Sequence, residues 1–368
     1  VWTPTLTKDD GSVETAPYTE DGSPTVAEIA TGLYAAWLAS VKPGIKRVNP
    51  SNPSSGVFLL TAATAGVPFS VALADSDDGT HTEVATTANV GNNDYGTARN
   101  WQTDLAPVAT NDVIIDVSDT GTSVDILYGL NQSSIAIADF RVLPGYRGKI
   151  GRFENNLPMY LRIDPDLFRY EGSGPLAMFD IGSANIDCYI NSKGTPLPGR
   201  YAVNLKGSNI AVCYVQRGNV AIAPFDADTA TVATLNIGFV DNQAGDSNVL
   251  IASGVTLTTL NQTGGKADLR CAATTVVNGV NTRLETNGSG AITTLTAYGN
   301  AVLNSTGTIT NLHVYGTVDL TASRAARTIT NCTLYPGGRL ILGPWITTTN
   351  GIVRPSTGSG IGIVEMRQ

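Results

Sequence analysis

The hydrophobic and polar positions between residues 255 and 342 keep restating one short phrase. It reads VTLTTLNQ at 255–262, AATTVVNG at 272–279, AITTLTAYG at 291–299, TITNLHVYG at 308–316 and TITNCTLYPG at 328–337. The apolar residue after each Thr-Thr or Thr-Asn pair is Leu260, Val276, Leu295, Leu312 or Cys332, at spacings of 16, 19, 17 and 20 residues. Within each copy apolar and polar residues alternate, and Thr, Val, Ile and Leu dominate, which is the period and composition of strands. A second short strand is predicted after most copies, at 267–271, 301–304, 317–321 and 339–342. Glycines at 264, 265, 279, 288, 299, 316, 337 and 338 stand where such a chain must turn.

Few architectures repeat at this length. Leucine-rich repeats need a regular Leu-Asn signature that these phrases lack, and ankyrin or tetratricopeptide units are longer and helical. The pattern fits a solenoid of β-coils with two or three strands per turn, stacked at roughly 4.8 Å. One coil cannot bury its own inner face, so coils are stable only as a stack. The fold class expected is mainly β: a right-handed parallel β-helix (solenoid) preceded by a small α+β N-terminal module.

Residues 1–90 do not share the repeat. A helix is expected to open at Ser23-Pro24-Thr25, with Ser23 as cap and Pro24 in the first turn. Val26, Ile29, Ala30, Leu33, Trp37, Leu38 and Val41 give it one apolar face, and Pro43-Gly44 ends it. Tyr34 and Trp37 lie at helical spacing and read as core. Two strands at 57–62 and 68–74 are split by a turn at Ala65-Gly66, and an earlier strand is expected within 2–7 or 12–18. The module is therefore one helix on a short antiparallel sheet. A linker rich in Asn, Gly and Thr covers 86–96. The β-helix is assigned to 91–342, with Trp101 as an aromatic end plug, the run at 113–117 as the start of the stack and two further coil strands within 125–151. Residues 152–200 are an irregular excursion or a wider set of coils. Strands resume at 201–205, 210–215, 220–223, 232–239 and 248–251. Residues 343–368 would cap the stack or cross to a neighbouring subunit, because an open coil invites edge pairing.

Composition narrows the function. The chain has 368 residues, 42% hydrophobic and only 15% charged, with 39 glycines and a formal net charge of −8. The acidic balance argues against a nucleic-acid groove, which needs clustered Lys and Arg. No run of about 18 apolar residues is present, so no membrane partner is expected, and residues 1–20 show no signal-peptide pattern. The four cysteines, Cys188, Cys213, Cys271 and Cys332, read as small apolar residues of the coil interior. Neither they nor His81 and His313 form a metal motif, and no metal or cofactor is expected. The DSDDGT turn at 75–80 lacks the full ligand set of a calcium loop.

Catalysis would need a pair of carboxylates flanking a sugar bond. The nearest candidates are Asp164, Asp166 and Asp180, followed by Glu171, Asp187, Asp226, Asp228, Asp241 and Asp246. Asp at turns is also ordinary in β-coils, where it bonds the local backbone. The expectation is no enzyme, with a glycan-cleaving role for Asp164, Asp166 and Asp180 as the alternative.

Two groups of phrases resemble known proteins. TVAEIATGLYAAWLAS followed by GVFLLTAATAGVPFSVAL resembles a small helix-and-sheet module of phage virion proteins. NWQTDLAPVATNDVIIDV, DILYGLNQSSI, VATLNIGFVDNQAGDSNV and GVTLTTLNQTGG are similar to phage and prophage proteins that continue into a β-helix. The resemblance implies a bacteriophage virion structural protein. The favoured reading is a capsid cement (decoration) protein on the outer capsid surface, a homotrimer bound non-covalently to the major capsid protein. Shell contacts are then expected from Trp2, Leu6, Lys42, Lys46 and Arg47. The alternatives are a tail spike or receptor-binding β-helix, possibly polysaccharide-degrading, and an adhesin that binds glycans without cutting them.

Overall fold

The structure, a computed structural model, describes residues 1–7, 13–63, 69–76, 80–84, 93–117, 121–154, 156–182, 185–238, 247–355 and 361–367. The chain forms two compact units. One comprises residues 1–107, 124–132 and 151–161; the other comprises 108–123, 133–150 and 162–368.

In the first unit the strand Trp2–Thr7 runs antiparallel between Val13–Thr15 and Ser70–Asp75. Alternation sends Trp2, Pro4 and Leu6 inward. The helix α1, Val26–Ala39, has its cap two residues later than the Ser23 expected from sequence. Thr25 is the cap, and its hydroxyl and the Glu28 side chain form a reciprocal capping box. The helix ends at Ala39, before Pro43-Gly44, and only Ala30, Leu33 and Trp37 of its apolar face are buried. Val26, Leu38 and Val41 are exposed. Trp37 joins Leu6, Ala16, Ile45 and Val48 in the core, and its indole N–H donates to the Val48 carbonyl at 3.0 Å.

The two strands after the helix do not pair with each other. Leu59–Ala62 pairs with Val48–Ser51, whereas Ser70–Asp75 pairs with Trp2–Thr7, so the two strands belong to separate small antiparallel sheets. The turn expected at Ala65-Gly66 and most of the 86–96 linker lie outside the described residues. Trp101, expected as an end plug, has its ring contact within the first unit, where it packs edge-on against Tyr95 with ring centroids 4.9 Å apart. Part of the irregular middle also belongs here, as an antiparallel hairpin of Arg152–Glu154 and Leu157–Met159.

The second unit is a β-solenoid of about nine turns. It opens with Asp112–Ile115 in parallel register with Asp139–Val142. One ladder of parallel strands then runs through Leu161–Tyr170, Ile186–Asn191, Val203–Ile222, Ala230–Ile237 and Val255–Gln262. It continues through Ala273–Asn278, Ile292–Ala297, Ile309–Val314 and Arg327–Leu334. A second ladder runs from the end of Val203–Ile222 through Ser247–Ile251, Lys266–Leu269, Arg283–Thr286, Asn300–Leu303, Thr317–Asp319 and Arg339–Leu342. Three strands expected at 201–205, 210–215 and 220–223 are one continuous 20-residue strand that bends with the coil.

The repeat read from sequence is the register of the stack. Leu260 faces Val276, Val276 faces Leu295, Leu295 faces Leu312, and Leu312 faces Cys332. The column extends backward through Leu235, Cys213 and Cys188 to Phe168. All of these side chains are buried, and each Phe, Leu or Val among them would contribute about 1.5–3 kcal/mol on leaving water. Spacing along the column is 20 to 25 residues from Phe168 to Leu260 and 16 to 20 beyond it. Phe140, Phe168, Phe179 and Tyr170 are buried together within the longer early coils, with successive ring centroids 4.9 to 5.8 Å apart.

The tail at 343–368 adds to the stack. Ile346–Thr348 and Ile352–Val353 lie on Arg327–Leu334, and Ile363–Met366 lies on Arg339–Leu342, all parallel.

Candidate functional site

Three of the carboxylates singled out from sequence stand on strands of the early coils. Asp164 and Asp166 belong to Leu161–Tyr170, and Asp180 ends Ala177–Asp180. Asp164 and Asp180 approach the same turn. A Cβ at Gly182 would lie 2.4 Å from Asp164 Oδ1, and the Gly182 N–H donates to Asp180 Oδ1 at 3.5 Å. Asp166 is exposed. Asp180 is flanked by two cations, Arg162 at 3.6 Å and Lys206 at 3.9 Å, and Lys206 also reaches Asp228 at 3.3 Å. A protonated general acid needs apolar or anionic surroundings, and this is an alternating ion-pair row across successive coils. Asp228 also accepts from the Phe225 N–H at 3.4 Å, as a turn carboxylate does. Asp241 and Asp246 lie outside the described residues, as do positions 77–79 of the acidic turn.

The N-terminal residues expected at a shell surface divide by burial. Trp2 and Leu6 are 6% and 2% exposed and serve the core of their own unit. The Trp2 indole donates to Glu20 at 2.7 Å. Lys42 and Lys46 are on the surface but fold back, donating to the carbonyls of Thr15 at 2.7 Å and Leu38 at 2.8 Å. Arg47 forms an ion pair with Glu154 at 2.7 Å, and Arg152 shares that carboxylate at 3.0 Å.

The cysteines are buried free thiols. Cys188, Cys213 and Cys332 stand in the inner column. Burial pushes Cys271 up to about 12 and Cys332 up to about 11, and burial followed by hydrogen bonding with Cys213 raises Cys188 as well. These are inert surroundings for a nucleophile or metal ligand. Among the described residues no three His, Cys, Asp or Glu side chains gather to hold a metal ion, and no helix is long and apolar enough to cross a membrane.

The outer faces of the later coils carry side-chain ladders. Asn350 donates to Asn331 at 2.6 Å, Asn331 to Asn311 at 2.8 Å, and Asn311 to the Thr294 hydroxyl at 3.5 Å. Tyr298, Tyr315 and Tyr335 stack with centroids 4.6 and 3.9 Å apart. A hydrogen bond with Tyr335 heads the causes that push the Tyr315 hydroxyl up to about 12. On the second ladder Glu285 takes Lys266 at 3.2 Å and Arg283 at 2.6 Å, and Asp268 takes Arg270 at 2.8 Å. A shallow groove of about 600 Å³ opens beside these rows, lined by Lys266, Val280, Asn281, Arg283, Tyr298 and Asn300 among others.

This groove is not among the sites expected from sequence. Its signal is present in the repeat: Tyr-Gly at 298–299, Tyr-Gly at 315–316 and Tyr-Pro-Gly at 335–337 place one ring per coil at the same corner. No family model, curated protein or solved structure matches this chain.

Proposed function

We propose that the chain is a bacteriophage virion structural protein, a capsid cement or decoration protein that stabilises the outer shell through non-covalent contacts with the major capsid protein. The phage assignment rests on the sequence resemblance of the N-terminal module and of the phrases that lead into the β-helix. The mechanical role is supported by one observation above the others. The inner column from Phe168 to Cys332 is filled without interruption, and neighbouring outer side chains are bonded to one another from coil to coil. Such a body is built to hold its form. A partner that binds only the assembled shell shifts the equilibrium toward that shell by mass action, and a stable clamp should bury upwards of about 1,000 Å². A homotrimer at three-fold positions would suit that task. The exposed lysines of the first unit, Lys42 and Lys46, are better placed for such contacts than the buried Trp2 and Leu6.

Copy number tests the reading. Quantitative mass spectrometry of purified particles, referenced to the major capsid protein, should give hundreds of copies per virion. A few dozen or fewer would mean a tail component.

One observation favours a polysaccharide-degrading tail spike as the second reading: Asp164 and Asp180 both approach the Gly182 turn. That reading requires release of reducing sugar from host polysaccharide and its loss on Asp180→Asn.

A further inference from the structure

We propose that the groove beside Tyr298 binds an acidic saccharide, with one sugar ring packed on the tyrosine and its carboxylate held by Lys266 and Arg283. The proposal does not depend on the cement reading, since a shell protein and a tail protein could each carry such a site.

The first argument is the platform. Tyr298 is the terminal ring of the three-tyrosine stack among the described residues, and it is 43% exposed. Tyr315 backs it at 4.6 Å and 20°, so the ring is held in place before any ligand arrives. In the preceding coil the chain leaves its strand at Asn278 and turns through Gly279, which has no side chain to lay on the ring. An immobilised, partly exposed aromatic face is what the C–H face of a sugar ring packs against, and its low conformational freedom keeps the cost of binding small.

The second argument is the rim. Lys266, Arg283, Asn300 and Thr317 are register partners on four successive strands, so they form a row of polar groups about 4.8 Å apart along the groove. The amides of Asn281 and Asn300 offer both donors and acceptors, which suits hydroxyl groups. One aromatic platform edged by six polar side chains, Lys266, Asn281, Thr282, Arg283, Asn300 and Thr317, puts a packing face and hydrogen-bonding groups together in one open groove.

Charge sets the class of sugar. Lys266 and Arg283 share one carboxylate, Glu285, so the groove keeps one cationic charge in excess. Both side chains are about half exposed, at 45% and 54%, and a planar guanidinium can turn to take a uronate carboxylate in two parallel hydrogen bonds. The net charge of −8 belongs to the whole chain, and at physiological salt its field is screened within about 8 Å. A single-stranded nucleic acid would also stack on tyrosine, but it needs a continuous cationic track, and this row gives way to Asn300 and Thr317.

The test uses the full chain and three probes: polygalacturonate, uncharged dextran and a single-stranded oligonucleotide, each read by isothermal titration calorimetry. Polygalacturonate should bind with a Kd of about a millimolar or tighter. Tyr298→Ala should weaken it about tenfold or more while Tyr298→Phe retains it. Asn300→Asp, at an exposed position, keeps the test alive if Tyr298→Ala fails to fold, and it should weaken binding by adding a negative charge beside the cations. Raising the salt should weaken binding as well. Absent polygalacturonate binding, or binding that Tyr298→Ala and Asn300→Asp leave unchanged, would overturn the proposal. Equal affinity for dextran would overturn the acidic class, and preference for the oligonucleotide would replace the saccharide altogether.

Discussion

A Cβ added at Gly316 would lie 2.3 Å from the Gly299 carbonyl oxygen, and one at Gly307 would lie 2.0 Å from that of Gly290. At these corners each coil rests on the backbone of the one before it, and hydrogen is the largest side chain that fits. Gly316→Ala should therefore destabilise the protein by about 1–3 kcal/mol, as overpacking does, measured by denaturant unfolding against the parent. The cysteines give a second residue-scale prediction. A disulfide-exchange reagent at pH 8 should label none of the four thiols in the native protein and all four after unfolding, since all four are covered and burial also raises Cys188, Cys271 and Cys332. Both features were legible in the sequence for one reason. Glycines and small apolar residues fall at the spacing of the repeat, and spacing survives in a linear pattern. The pairing of Asp180 with Arg162 and Lys206 was not legible, because those partners come from different coils of unequal length.

Elements outside the repeat were harder to place, and α1 shows why. Ser23 and Thr25 are both good caps; the distinguishing signal is Glu28 three residues after Thr25, which closes the capping box. Thr25→Ala should cost about 0.5–2 kcal/mol. Backbone hydrogen bonding to Thr25, then side-chain bonding to it, holds the Glu28 carboxyl below its ordinary value of 4.5. A lowered folded value means that this contribution is complete above the unfolded value and is lost as pH falls through the folded one. The first turn of the helix should accordingly fray on acidification, read as a lower amide protection factor at Glu28 relative to the intrinsic exchange rate at each pH, and Glu28→Gln should remove that pH dependence. The strands 59–62 and 70–75 looked like a hairpin because both are apolar and close in sequence, yet tertiary pairing sends the second to Trp2–Thr7. The tail, expected from sequence to cap the stack or cross to a neighbouring subunit, has its described strands in register on Arg327–Leu334 and Arg339–Leu342. Deleting 343–368 would uncover Leu340, Ile341 and Leu342, now 0%, 3% and 6% exposed. That truncation should melt at a lower temperature and aggregate, the usual fate of an uncapped solenoid.

At the scale of the whole molecule, acid should act through the ion-pair rows. Hydrogen bonds from Arg339 and Arg367 hold Glu365 below 4.5. For Glu285 burial pushes upward, but hydrogen bonds from Arg283 and Lys266 outweigh it and leave the group lowered. Both carboxylates therefore add stability above about pH 4.5, and that stability drains away as pH drops through their folded values. Melting temperatures recorded from pH 7 to pH 3 should stay level and then fall, and the fall should be shallower at high salt because these pairs face solvent. A further consequence concerns length. Residues 292–308 make one circuit, from Ile292 to the position before its register partner Ile309. Splicing in a second copy of those 17 residues would present each neighbour with the outline it already meets. The solenoid would grow by one storey of about 4.8 Å, while both ends stayed as they are. Height is then an independent setting of this protein, adjustable in whole storeys without redesigning either terminus.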